Sequence, residues 1–182
     1  MRFIGWMVAA AIVAFLAAPA QAATCPSGLT ACKAGAWGAG GCYRLGYANC
    51  SNGLICEAGM NACGPAAWGR GGCYRPGYAN CTNGLICSSG MNACGPGAWG
   101  GGGCYRPGYA NCTNGMICEA GMNACGRGAW GGGGCYRPGY ASCTNGMICS
   151  SGMTACGPGR KGGGGCYRPG YARCDNGAIV TH

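Results

Sequence analysis

Beyond residue 22 the apolar positions form no helical stripe. Larger apolar residues come in short pairs, Leu54-Ile55, Leu85-Ile86, Met116-Ile117 and Met147-Ile148, each followed by a cysteine and each 31 residues from the next. Between the pairs the chain is glycine, small residues and single aromatics. Apolar runs this short, bounded by turn residues, predict short strands. In the second repeat of the pattern the strand segments are Gly72-Cys73-Tyr74, Ala79-Asn80-Cys81-Thr82 and Leu85-Ile86-Cys87. Arg75-Pro76-Gly77-Tyr78 places Pro where φ near −65° is wanted and Gly where φ is positive, which predicts a type II turn. Asn83-Gly84 predicts a tight hairpin. Together these predict a miniature three-stranded meander, with the remaining segment from Cys94 to Cys104 and its counterparts read as a glycine loop presenting one tryptophan. Helix is not expected, because Gly costs about 1 kcal/mol and Pro about 3 kcal/mol at a helical position.

The first residues read differently. Arg2, the apolar run Phe3 to Ala18 and the small-residue pattern Ala20-Gln21-Ala22 have the three parts of a secretory signal peptide. Residues 1–22 are therefore expected to be removed, placing the mature chain outside the cytosol: secreted, periplasmic or at the cell surface. The run is short for a stable membrane span.

Cysteines recur with the same period. They stand at Cys25, Cys32, Cys42 and Cys50, then Cys56, Cys63, Cys73 and Cys81, then Cys87, Cys94, Cys104 and Cys112. The series continues with Cys118, Cys125, Cys135 and Cys143, and ends with Cys149, Cys156, Cys166 and Cys174. An even count in an exported chain predicts a disulfide framework. The chain divides into repeats at 23–55, 56–86, 87–117, 118–148 and 149–182, a cut that gives every repeat four cysteines. Starting instead at Cys32 leaves Cys25 alone and a final triplet. Within a quartet three pairings are open. The fold class is thus a small disulfide-rich protein, a tandem array of five mini-β modules.

Composition explains why sulfur is needed. Gly accounts for 42 of 182 residues, and ordering each residue costs roughly 1 to 2 kcal/mol. A single oily core cannot offset that here. Two further patterns overlie the repeat: units beginning at Cys56 and Cys118 open CEAGM while those at Cys87 and Cys149 open CSSGM, and the last unit carries Arg160-Lys161 where others have Ala-Trp. A modified last copy fits the cap of a stacked array.

The run A-C-G followed by C-Y-x-P-x-x-x-x-C-x-x-G-x-I-C is clearest at Ala93-Cys94-Gly95, then Cys104-Tyr105-Arg106-Pro107 through Cys112, Gly115, Ile117 and Cys118. It resembles the small cysteine-rich carbohydrate-binding module attached to fungal endo-β-1,3-glucanases. The likeness covers about 25 residues of each unit on those cysteine spacings. It implies binding of glucan or another cell-wall polysaccharide without catalysis.

The aromatic residues are the leading candidates for such contacts. Trp37, Trp68, Trp99 and Trp130 sit in the glycine loops, and Tyr43, Tyr74, Tyr105, Tyr136 and Tyr167 follow the third cysteine. Flat rings pack on the C–H faces of sugars while their polar tips bond hydroxyls. The competing account is that these rings pack over the disulfides. Arg75, Arg106 and Arg137, with Arg44 and Arg168, occupy one fixed turn position suited to hydroxyls, acidic groups or stacking on tyrosine. Net charge is +9, which favours anionic polymers, and export argues against nucleic acid. Asn49, Asn80 and Asn111 match the glycosylation acceptor pattern with cysteine in the middle.

Catalysis has little to work with. Acid–base chemistry needs two titratable groups held together, and only Glu57, Glu119, Asp175 and His182 are present. No enzyme, cofactor or metal site is expected. Two alternatives stand beside carbohydrate binding: a cross-linked structural or surface-coat protein, and copper sequestration by thiolates with Met60, Met91, Met122 and Met153.

Overall fold

The protein is described from a computed structural model covering residues 24–182. The expected leader at 1–22 lies outside the described residues. Twenty short strands run from Thr30–Cys32 to Ala178–Thr181, and no helix occurs among the described residues. Every sheet has two strands. In the second repeat, Asn61–Cys63 pairs antiparallel with Gly72–Tyr74 across the glycine loop, in register Asn61 with Tyr74 and Cys63 with Gly72. Ala79–Thr82 then pairs with Leu85–Ser88 around Asn83-Gly84, in register Asn80 with Cys87 and Thr82 with Leu85. We call these the loop hairpin and the turn hairpin.

All three predicted strand segments are thus strands, but they form no three-stranded meander. The type II turn is the reason. Tyr78 N–H donates to the Arg75 carbonyl at 3.1 Å and Gly77 takes φ of 82°, so the chain leaves the loop hairpin without laying its next strand alongside. Gly72–Tyr74 finds its partner upstream instead.

The second predicted turn forms as expected. Asn83 and Gly84 have φ of 51° and 85°, positive at both centres as a two-residue hairpin of this type requires. Gly84 is also buried, and the reason lies in the glycine loop. Trp68 N–H donates to the Asn83 carbonyl at 3.1 Å and Gly71 N–H to the Gly84 carbonyl at 2.9 Å. The loop of one hairpin clasps the turn of the other. A Cβ at Gly84 would sit 2.5 Å from the Ala66 nitrogen and the Gly69 oxygen, so the pairing of loop and turn depends on glycine.

Ten disulfides follow one rule: first cysteine to third, second to fourth. They are Cys25–Cys42, Cys32–Cys50, Cys56–Cys73, Cys63–Cys81, Cys87–Cys104, Cys94–Cys112, Cys118–Cys135, Cys125–Cys143, Cys149–Cys166 and Cys156–Cys174. No cysteine is free. Quartets therefore close on themselves, yet hydrogen bonding crosses their boundaries, because Cys56 lies on the strand Leu54–Glu57 that pairs with Ala48–Ser51 of the preceding repeat. Cys56–Cys73 joins the first turn hairpin to the second loop hairpin. Cys63–Cys81 then joins that loop hairpin to its own turn hairpin. Successive hairpins are linked in series by a covalent ladder.

The ladder stops by substitution. Val180 occupies the place of Cys149 one repeat later, so the last hairpin has no sulfur with which to reach a further one. Among the described residues the buried apolar ones are nine cysteines and Ala172, and no polar side chain is buried. Cystine is the core. Each bridge spans 17 or 18 residues, which in the chain-entropy account contributes about 3 kcal/mol.

Candidate functional site

Turn hairpin and following loop hairpin leave an open groove between them. Asn80, Thr82, Met91, Asn92 and Tyr105 line one of about 390 Å³. Their equivalents one repeat later, Asn111, Thr113, Met122, Asn123 and Tyr136, line another of about 420 Å³, with Trp99 at its margin. Both volumes fall within the roughly 300 to 1,000 Å³ of small-ligand sites. The wall chemistry is mixed: two amides, a threonine hydroxyl, a thioether and a tyrosine ring with its hydroxyl. Such a wall offers hydroxyl partners and one flat face.

Local structure explains the lining. Asn80 and Thr82 alternate on one face of a strand whose intervening Cys81 is bridged. Tyr105 faces Asn92 across the loop hairpin. Met91 enters from a turn closed by its N–H on the Ser88 carbonyl at 3.0 Å, with Gly90 at φ of 80°. Each member is set by a ladder or a turn, not by a loose loop.

The predicted residues separate into three groups. Tyr105 and Tyr136 line grooves, and Tyr43, Tyr74 and Tyr167 hold the same register positions opposite Thr30, Asn61 and Thr154. All five are half-buried. Trp37, Trp68, Trp99 and Trp130 lie on the next repeat: a Cβ added at Gly64, Gly95, Gly126 or Gly157 would collide with the respective indole. Only glycine lets the ring approach the neighbouring backbone. These tryptophans are joints between repeats, and Trp99 also borders a groove.

The arginines form the third group. Arg44, Arg75, Arg106, Arg137 and Arg168 lie 5.3 to 5.9 Å from the ring centroids of Tyr47, Tyr78, Tyr109, Tyr140 and Tyr171. Those second tyrosines are the most exposed aromatic residues, at 69 to 73%. The type II turn sets Arg and Tyr three residues apart and side by side. That spacing was the available signal for the pairs. The groove asparagines, threonines and methionines carried no comparable signal, since their convergence depends on which hairpins stack.

The last repeat lacks the joint and replaces it. Lys161 stands at the tryptophan position, and its Nζ lies 2.6 Å from Asp175 Oδ2. That hydrogen bond, with the Lys161 and Arg173 charges, holds the Asp175 carboxyl below its ordinary value of 3.8. In this repeat an ion pair stands where the others have an indole ring.

Among the described residues no three His, Cys, Asp or Glu side chains group as a metal site. The copper alternative needs thiolates, and here every cysteine is oxidised. No described helix is long and apolar enough to cross a membrane. No protein-family model, curated protein or solved structure matches this chain.

Proposed function

We propose that this protein is an exported, non-catalytic array that binds carbohydrate through the same groove presented again and again. The observation carrying this reading is the recurrence of one groove at equivalent residues of successive repeats, with Tyr105 and Tyr136 as flat faces and Asn80, Asn92, Asn111 and Asn123 as hydroxyl partners. Rigid spacing by disulfides supports simultaneous engagement of a chain. Linked weak sites raise overall affinity roughly 10²- to 10⁴-fold where geometry allows.

The resemblance to the glucanase-associated module points to β-glucan or another cell-wall polysaccharide. Export follows from the leader pattern and agrees with a chain whose core is cystine. Sedimentation of the oxidised protein with insoluble β-glucan, chitin and peptidoglycan tests the reading. Binding to at least one is expected, with a loss of about tenfold or more on Tyr105→Ala plus Tyr136→Ala. Parental binding by that variant, or sedimentation with none of the three, would overturn it.

A further inference from the structure

Repeats alternate at one pair of surface positions. Glu57-Ala58 and Glu119-Ala120 stand where the intervening repeats have Ser88-Ser89 and Ser150-Ser151. These positions begin the turn that delivers the groove methionine, so the alternation lies beside the proposed binding face. In the serine type, Ser88, Ser89 and Met91 line a further groove of about 310 Å³ together with Arg106 of the next loop hairpin. Arg106 is held over the Tyr109 ring at 5.3 Å. Stacking occupies the flat face of the guanidinium and leaves its N–H edge for an acceptor.

We propose that Ser88, Ser89 and Arg106 form a subsite for the acidic group of an anionic polysaccharide, a carboxylate or a sulfate ester, repeated at Ser150, Ser151 and Arg168. The inference rests on the carbohydrate reading and names the class of glycan. Two hydroxyls and a guanidinium edge are the donors such an oxyanion needs. No carboxylate is ion-paired with Arg106: among the described residues the one salt bridge is Lys161–Asp175. In the other two repeats Glu57 and Glu119 stand at the sequence position of Ser88, with Arg75 and Arg137 at the position of Arg106. A carboxylate there repels the acidic group, so those repeats accept neutral sugar and the array takes an acidic residue at every second repeat.

The alternation supplies its own test, since Glu is native at the equivalent position and the exchange leaves the fold intact. Retention of the oxidised protein is measured at low salt on immobilised polygalacturonate, its neutral methyl ester, dextran sulfate and a neutral β-glucan. Ser88→Glu with Ser150→Glu is expected to weaken binding to an acidic polymer about tenfold, and Glu57→Ser with Glu119→Ser to strengthen it. Ala36→Glu with Ala67→Glu changes net charge equally at exposed loop positions outside the groove linings and is expected to cost far less. Neutral glucan retention should be unchanged in all three, and preference for polygalacturonate or for dextran sulfate identifies the acidic group as carboxylate or sulfate.

Equal losses in the serine and alanine variants would reduce the effect to net charge and overturn the subsite. Retention on neutral glucan with none on either acidic polymer would overturn it too, while leaving the carbohydrate reading standing. Retention on acidic polymers alone would support the subsite and remove the neutral-glucan expectation.

Discussion

Removing the Cys94–Cys112 bridge by Cys94→Ala with Cys112→Ala opens one rung in the middle of the ladder. Alanine leaves no unpaired hydroxyl at Cys94, which is buried. The bridge closes a separation of 18 residues, so its loss returns about 3 kcal/mol of chain entropy to the unfolded state. That energy corresponds to about a hundredfold rise in the local opening constant. The third repeat keeps its connections on both sides, through Cys87–Cys104 to the second turn hairpin and through Cys118–Cys135 to the fourth loop hairpin. Damage should therefore stay local, as in arrays whose units contact only their neighbours. Amide hydrogen exchange read by NMR should show protection falling about a hundredfold in Asn92–Cys94, Gly103–Tyr105 and Ala110–Thr113. The first and fifth repeats should keep parental protection. Uniform loss along the whole chain would refute stabilisation rung by rung, and so would unchanged protection in the third repeat.

Two other perturbations address the joints and the cap. Trp99→Ala removes a half-buried ring from Gly126 and should cost about 1 to 2 kcal/mol, below the value for a fully buried ring. Hydrogen exchange should place the loss at the boundary of the third and fourth repeats, with the free-thiol count still zero. Asp175 has a folded-state pKa below its unfolded value, so its pairing with Lys161 stabilises the last hairpin above the unfolded pKa and is lost as pH falls through the folded one. Amides of Ala178–Thr181 should lose extra protection as pH falls below the ordinary carboxyl range, and Asp175→Asn should remove that step.

Period, turn chemistry and dependence on sulfur were legible because each is written in residues with a strict local demand. Asn83-Gly84 needs positive φ at both centres, Pro76-Gly77 selects one turn type, and cysteines at constant spacing mark covalent units. Strand partnership was not legible in the same way. Gly72–Tyr74 lies between two candidate partners, and only the clasp of the glycine loop on the Asn83-Gly84 turn decides for Asn61–Cys63. The seat of the tryptophans was hidden for a related reason: a ring in a glycine loop reads as presented to solvent, whereas its place on Gly95 or Gly126 depends on how one repeat meets the next. Of the proposed site, the first tyrosines were found from sequence. Met91 stands out in the sequence only as a candidate copper ligand and Asn92 not at all, since they approach Tyr105 only once hairpins from two quartets share a wall.

The choice among three pairings is the point on which the ladder stands. Cleavage of the unreduced protein at Met91, Trp99 and Tyr109 cuts once in each gap between the four cysteines of the third repeat, and mass spectrometry of the linked fragments reads the connectivity. The account predicts Cys87 joined to Cys104 and Cys94 joined to Cys112, with the same stagger in every repeat. Cys87 found on Cys94, or thiols found free in the folded protein, would contradict it.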